Sequence, residues 1–155
     1  MTPFENQGED YGYSEFFGTI DTVIMGRATY DQVRTFGEFP YKGKACYVLS
    51  RASQGRDENV TFIGGDVFSW VKALKAQPGA GIWLVGGAQA AASFFQERLI
   101  DEYILSTVPV VLGAGIPLFK KGLPQMRLAL KEVRSYPSGL VQCHYTDTHQ
   151  RADAA

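Results

Sequence analysis

The sequence has few of the residues that build metal centres and disulfide frameworks. Its 155 residues include two histidines and two cysteines, Cys46 and Cys143. Each cysteine lies inside a strand-like segment, and neither belongs to a Cys-x-x-Cys motif or has histidines at ligand spacing. We therefore expect buried free thiols and no metal site.

An excess of positive charge and a long apolar run are also missing. The net charge is -1, so no basic field attracts nucleic acid or an anionic membrane. The longest apolar runs are well short of the roughly 20 residues that cross a bilayer. The N-terminus, "MTPFENQGEDYGYSEFF", is acidic where a signal peptide is basic and then apolar. These absences predict a cytoplasmic protein that binds neither nucleic acid nor membranes.

The residues that are present suffice for one substantial core. The chain is 45% hydrophobic and 13% aromatic, which predicts a single domain over residues 1–155 with a frayed tail at 148–155.

Strand-like and helix-like segments alternate along most of the chain. Apolar, β-branched runs predict strands at 19–25, 45–50, 59–63 and 81–85. Helical spacing predicts helices at 66–79, with Asp66 as the N-cap, and at 88–99. Three strands without helices follow, at 101–111, 127–136 and 140–147. The fold class is therefore α/β, with a mainly parallel sheet and antiparallel C-terminal strands.

Small and phosphate-seeking residues follow three of the predicted strands. These strand ends run into "GRATY", "SR" and "GGAQ", and ligands of open α/β sheets bind beyond the carboxyl ends of the strands. Glycines let phosphates approach the main chain, and arginines bind them by charge-assisted hydrogen bonds. Each feature alone has an ordinary explanation, a tight turn for Gly86-Gly87 and solvated charges for Arg27 and Arg51. Their coincidence at three strand ends favours a dinucleotide site.

The stretches "DTVIMGRATYDQV", "YVLSR", "IWLVGGAQ" and "LIDEYILSTVPVVLGAGIPLF", in this order, resemble the dihydrofolate reductase-like superfamily. The chain is most similar to the pyrimidine reductase domain of bacterial riboflavin biosynthesis and its stand-alone relatives, over about residues 8–147. The resemblance implies a dihydrofolate reductase-like fold and an NADPH-dependent reductase. Its implied substrate is a planar heterocycle similar to 5-amino-6-(5-phosphoribosylamino)uracil. A folate-type pterin is the alternative substrate, and an NADPH-binding protein without catalysis is the alternative function.

The resemblance also implies roles for individual residues. The cofactor-binding residues would be Gly26, Arg27, Thr29, Ser50, Arg51, Gly86, Gly87, Ala88 and Gln89. Ser50 and Arg51 would meet the adenosine 2′-phosphate, and the glycine pair the pyrophosphate. Thr29 would either cap its helix or donate a hydroxyl.

The resemblance implies a first strand and a loop after it, and no counterpart of either stands before "MTPFENQGEDYGY", so we expect either a start site placed too late or a naturally shortened chain. Because an unfilled place in a sheet exposes backbone and apolar surface, we expect a homodimer. The segment "GAGIPLF" is read as a structural turn, or alternatively as part of the pocket or of a dimer interface.

Two polar residues and one group of aromatic residues are further candidates. The resemblance implies that Asp10 is the catalytic acid, because a gapless count back from "MGR" brings it to the place of the pocket acid of dihydrofolate reductases. Partial burial at a helix start would raise its pKa, and its alternative role is a plain N-cap. His144 is read as structural, with a catalytic base as the alternative. An aromatic substrate slot and core packing explain four aromatic residues equally well: Tyr11, Tyr13, Phe16 and Phe17.

Overall fold

A computed structural model describes residues 8–52 and 54–148 of the chain. The fold divides into two compact units, one formed by Tyr13–Leu99 and the other by Met1–Gly12 together with Ile100–Ala155. The single domain predicted over 1–155 stays a prediction, and the predicted tail lies outside the described residues from position 149 onwards.

The unit Tyr13–Leu99 is built around a five-stranded sheet. In chain order its elements are α1 (Tyr13–Gly18), β1 (Ile20–Gly26), α2 (Arg27–Val33), a 3-10 helix (Arg34–Phe36), β2 (Ala45–Leu49), β3 (Gly55–Arg56), β4 (Thr61–Ile63), α3 (Val67–Lys75), β5 (Gly81–Gly86) and α4 (Ala88–Gln96). The strand order is β3-β4-β2-β1-β5, and all neighbours are parallel except β3 and β4.

Strand β1 lies inside this sheet and carries much of the core. Val23, Ile24 and Met25 are fully buried, which explains why the sequence reads as a continuous apolar run rather than an alternating one. Strands β2 and β5 pair with it on either side. The parallel register places the carboxyl ends of the three strands at one edge of the sheet.

The two helices predicted after β4 and β5 are confirmed. Helix α3 begins after Asp66, whose Oδ1 accepts a hydrogen bond from the Ser69 main-chain N–H at 3.1 Å. Helix α4 begins after Gly87. The short strand β3 is not apparent from the sequence, because Gly55 and Arg56 have neither apolar character nor β propensity.

The second unit holds a three-stranded antiparallel sheet. Its strands are β6 (Glu102–Thr107), β7 (Leu128–Ser135) and β8 (Val141–Asp147), in the order β6-β8-β7. The mainly parallel α/β fold with antiparallel C-terminal strands is therefore confirmed, and these strands form a sheet of their own. The predicted strand 101–111 is too long, since β6 ends at Thr107, two residues before Pro109, which has no N–H to donate to a neighbouring strand.

Both cysteines are free thiols, as expected, but only one is fully buried. Cys46 is buried in the core and Cys143 is half-buried. Burial raises the pKa of the Cys46 thiol to about 11, which leaves this sulfur uncharged at neutral pH.

Candidate cofactor site

A cavity of about 570 Å³ opens at the carboxyl edge of the five-stranded sheet. Its walls come from the ends of β1, β2 and β4, the first residues after β5, and the beginnings of helices α2, α3 and α4. This is the position at which open α/β sheets bind their ligands.

The cavity brings together eight of the nine residues predicted to bind a cofactor. They are Gly26, Arg27, Thr29, Ser50, Arg51, Gly87, Ala88 and Gln89. The ninth, Gly86, is not among the lining residues and ends β5 with a φ of 115°, a conformation that favours glycine. Eight of the nine predicted residues therefore share one cavity although the sequence separates them by up to 63 positions.

Arg27 is held in place at the first turn of helix α2. Its Nε donates to both carboxylate oxygens of Asp31, at 2.9 and 3.1 Å. Its guanidinium carbon lies 5.5 Å from the centre of the Phe62 ring. The guanidinium of Arg27 therefore lies at the cavity wall in a defined orientation, and the Arg27 side chain is 42% exposed.

Gly87 is the N-cap residue of helix α4 and, being glycine, provides no side-chain cap. A Cβ added at Gly87 would lie 3.5 Å from Thr29 Oγ1, which is ordinary van der Waals contact. Main-chain N–H groups in the first turn of a helix have no partner within the helix and are suited to anions. Thr29 does not cap helix α2, because Gly26 occupies that position.

A fourth strand end, which the sequence prediction did not include, completes the cavity. Ile63, Gly64, Gly65 and Asp66 line it where β4 leads into α3. Ser50 N donates to Ile63 O at 3.0 Å, and a Cβ at Gly64 would lie 3.0 Å from Ser50 O. The missing side chain at Gly64 therefore lets the ends of β2 and β4 approach closely. The sequence does carry a signal for this fourth strand end, because "FIGGD" repeats the pattern of a strand that runs into two glycines and then a helix.

Charge is unevenly distributed around the cavity. Hydrogen bonds from the side chain and the main-chain N–H of Ser69 lower the pKa of the Asp66 carboxyl below its usual value. The N-terminus of α3 therefore already holds a carboxylate, whereas Arg27, Arg51 and the uncapped N-terminus of α4 supply positive potential. Apolar residues also line the cavity, among them Leu49, Val67, Phe68 and Phe94.

Asp10 is not placed as predicted. It is exposed, so the expected partial burial was wrong. Its Oδ1 accepts a hydrogen bond from Gly12 N at 2.9 Å, and α1 begins only at Tyr13. Asp10 thus closes a turn before the helix and does not cap it. The residue spacing in the sequence does not show at which residue this helix begins.

His144 takes part in a hydrogen-bonded cluster on the antiparallel sheet. Its Nε2 lies 2.6 Å from Glu102 Oε2, and Lys131 Nζ lies 3.3 Å from Glu102 Oε1. Burial tends to raise the pKa of the Glu102 carboxyl, but hydrogen bonds from His144 and Lys131 outweigh it and lower the pKa. None of the three residues lines the cavity, which agrees with the structural reading of His144.

The aromatic residues near the N-terminus pack within their own units. Phe16 and Phe17 pack against the core of the five-stranded unit, and the Phe16 ring contacts Trp83 edge to face at 5.1 Å. Tyr13 stacks on Phe17 at 5.5 Å, and Tyr11 contacts Tyr136 at 5.0 Å. For Phe16 and Phe17, these contacts favour the core-packing interpretation.

In the part of the chain that the structure describes, no helix combines the length and the apolar character needed to cross a membrane.

Residues 46–142 match the RibD C-terminal domain family. Two proteins of Bacillus subtilis (strain 168) are similar over most of their length. The uncharacterized protein YwjB is 43% identical over 147 residues, covering 94% of this chain and 83% of its own. The uncharacterized protein YyaP is 34% identical over 151 residues, covering 88% and 79%.

Two solved structures have the same fold. A protein from Shewanella sp. PV-4, provisionally named as a riboflavin biosynthesis protein, superimposes with a TM-score of 0.81 at 26% identity, covering 93% of this chain and 83% of its own. A pyrimidine reductase-like protein from Corynebacterium diphtheriae superimposes with a TM-score of 0.66 at 16% identity, covering 94% and 83%.

Proposed function

The chain belongs to the RibD C-terminal domain family, a reductase-like family, and from this premise we propose that it is an NADPH-dependent reductase acting on a planar heterocycle. The observation that carries the proposal is the convergence of four strand ends on one cavity that holds two arginines, a serine and the uncapped start of helix α4.

Two features of the cavity support the proposal that it binds the phosphates of a dinucleotide. Arg27 is oriented by Asp31 and Phe62, so little side-chain freedom would be lost when it binds an anion. Gly87 leaves the main chain at the start of α4 open to close approach. In this proposal Arg27, Gly87, Ala88 and Gln89 hold the pyrophosphate, with the Thr29 hydroxyl beside them.

Ser50 and Arg51 are proposed to select NADPH over NADH. They follow β2 and line the same cavity. A guanidinium and a hydroxyl match the oxygens of a 2′-phosphate, which NADH lacks.

Apolar residues of the cavity are suited to a planar ring. They include Phe68 and Phe94, whose ring centres are 6.4 Å apart.

The nicotinamide supplies the hydride when NADPH is bound. The contribution of this chain is to bind the cofactor, to fix its orientation and to exclude water from the reacting atoms. The proposed substrate resembles 5-amino-6-(5-phosphoribosylamino)uracil, which agrees with the riboflavin name of the Shewanella relative. A pterin of the dihydrofolate type is the alternative.

Two measurements on the purified chain test the proposal. Calorimetric titration should give tighter binding of NADPH than of NADH. Loss of NADPH absorbance should then depend on the pyrimidine substrate, with dihydrofolate as the comparison acceptor. Binding without turnover on either acceptor would favour a nucleotide-binding protein, and absence of NADPH binding would refute the site.

A further inference from the structure

One wall of the cavity carries a carboxylate, although two arginines line the same cavity. This wall consists of residues 63–68, from the end of β4 to the first turn of α3, and includes Asp66. Arg27 and Arg51 line other parts of the cavity. Because like charges repel, a phosphate group is disfavoured beside Asp66. The ligand group that fits there is uncharged and donates a hydrogen bond.

Asp66 is held in a fixed orientation and keeps capacity for a further donor. Its Oδ2 accepts from the Ser69 hydroxyl at 2.6 Å, and its Oδ1 accepts from the Ser69 main-chain N–H at 3.1 Å. These two bonds, together with the Phe68 main-chain N–H, lower the pKa of the Asp66 carboxyl, so this group is charged at neutral pH. A carboxylate has about four acceptor positions and no donor. Asp66 is also exposed, so a ligand in the cavity can reach it.

The adenosine half of a dinucleotide is the part that reaches this wall. This step rests on the proposed function, in which Ser50 and Arg51 bind the 2′-phosphate. Ser50 N donates to Ile63 O at 3.0 Å, and Asp66 follows two residues after Gly64, whose Cβ would lie 3.0 Å from Ser50 O. The 2′-phosphate and the adenine are attached to the same ribose. Binding of the phosphate at Ser50 therefore brings the base within reach of residues 63–68.

The surroundings of Asp66 suit the edge and the faces of a planar base. Ile63, Val67 and Phe68 supply apolar surface on this wall. A Cβ at Gly65 would meet no atom within 4 Å, so the space next to Asp66 is open. Apolar surface with one precisely placed polar group is typical of a site that fixes the orientation of a ring.

We propose that Asp66 is a specificity-determining residue that accepts a hydrogen bond from the exocyclic amino group of adenine. It would thereby select a dinucleotide with a 6-aminopurine over one with a 6-oxopurine. A 6-oxopurine presents a carbonyl oxygen where adenine presents an N–H, and two acceptors that face each other cannot form a hydrogen bond. The carboxamide of the nicotinamide also has an amino group, but the pyrophosphate separates it from the ribose that carries the 2′-phosphate.

Calorimetric titration of the full chain with NADPH and with its hypoxanthine analogue tests this proposal. The two ligands have the same phosphates and the same nicotinamide, so the ratio of their dissociation constants reports on the base alone. We expect the wild type to bind NADPH at least about tenfold more tightly, as for a hydrogen bond to a charged group.

Asp66→Asn should bring this ratio close to one. The asparagine amide can accept from adenine or donate to hypoxanthine. Loss of the negative charge changes the attraction for the phosphates of both ligands equally, so it does not affect the ratio. Asparagine is also a favoured N-cap residue, so the melting temperature should change little.

Glu97→Gln is the matched control. Glu97 is an exposed carboxylate at the end of α4 and is not among the residues that line the cavity. This variant should keep the wild-type ratio. A wild type that binds NADPH without preferring it to the analogue overturns the assignment of Asp66 and leaves the proposed function standing. A preference that persists in Asp66→Asn, or that Glu97→Gln also abolishes, overturns the assignment too. If neither ligand binds, the proposed function fails together with it.

Discussion

The phenolic oxygen of Tyr30 donates a hydrogen bond to Asp57 Oδ2. Tyr30 is buried in helix α2, and Asp57 lies in the turn between β3 and β4, where its Oδ1 accepts from the main-chain N–H groups of Asn59 and Val60. This hydrogen bond connects α2, the helix that carries Arg27, to the turn between β3 and β4. Strand β4 leads into residues 63–66, which form the fourth wall of the cavity.

Tyr30→Phe should lower the free energy of unfolding by about 1–2 kcal/mol. The ring is retained, but Asp57 loses a hydrogen bond that is only partly replaced by water. Urea denaturation followed by circular dichroism measures the change. Tyr13→Phe is the control, because Tyr13 is 44% exposed and its hydroxyl can bond to water. Equal effects of the two substitutions would contradict the assignment.

The difference in free energy of unfolding between wild type and Tyr30→Phe should decrease both at acidic and at alkaline pH. Burial tends to raise the pKa of Asp57, but hydrogen bonds from Tyr30, Val60 and Asn59 outweigh it and lower the pKa below 3.8. The contribution of Asp57 is therefore present above about pH 4 and is lost as the pH falls through the lowered value.

At the alkaline end, burial and then the bond to Asp57 raise the pKa of Tyr30 from 10.0 to about 12. The contribution of Tyr30 to stability is therefore complete below pH 10 and is lost as the pH rises through about 12. Unfolding of both proteins across the pH range should give the largest difference near neutrality. A difference that does not vary with pH would count against the pairing.

Arg51→Ala should weaken NADPH binding by about 1.5–3 kcal/mol, or about tenfold to 150-fold, because a charge-assisted contact to the 2′-phosphate is lost. NADH binding should barely change. Arg56→Ala is the control, since Arg56 is exposed on β3 and is not among the residues that line the cavity. If both cofactors lose the same affinity, Arg51 does not read the 2′-phosphate.

Gly87→Ala should separate ligand binding from folding. The added methyl meets Thr29 Oγ1 at 3.5 Å and the φ of Gly87 is -73°, so the melting temperature should change little. If phosphates approach the start of α4, the methyl group should weaken NADPH binding by tenfold or more. Gly64→Ala should instead reduce stability as well, because its Cβ would stand 3.0 Å from Ser50 O. Unchanged NADPH affinity in Gly87→Ala would place the pyrophosphate elsewhere.

Asp10→Asn should retain turnover, since Asp10 is exposed and asparagine can accept the same hydrogen bond from Gly12 N. NADPH affinity should also be unchanged. Steady-state and single-turnover rates measure the effect. A loss of 10²–10⁴ in the hydride-transfer step would instead identify Asp10 as a proton-transfer group.

The order of elements and most of the candidate site follow from local sequence patterns. The apolar run of β1, the N-cap Asp66 and the glycine pair at the end of β5 act within a few residues of their own position, so their effect can be predicted without knowing the fold. The spacing of Arg27 and Asp31 is also local, because residues four apart meet on one face of a helix.

Contacts between distant residues were decided by the tertiary structure. Tyr30 meets Asp57 across 27 positions, and Gly64 meets Ser50 only because β2 and β4 pair in parallel with a defined register. The exposure of Asp10 likewise depends on which residues pack around the turn that precedes α1. Local propensity determines which residues form a strand or helix, whereas strand register and packing determine which side chains share a surface. For that reason the sequence by itself determined three of the four strand ends at the cavity. The fold brought the fourth strand end, whose glycine pattern the sequence also carries, to the same edge of the sheet, and it determined the hydrogen bond between Tyr30 and Asp57.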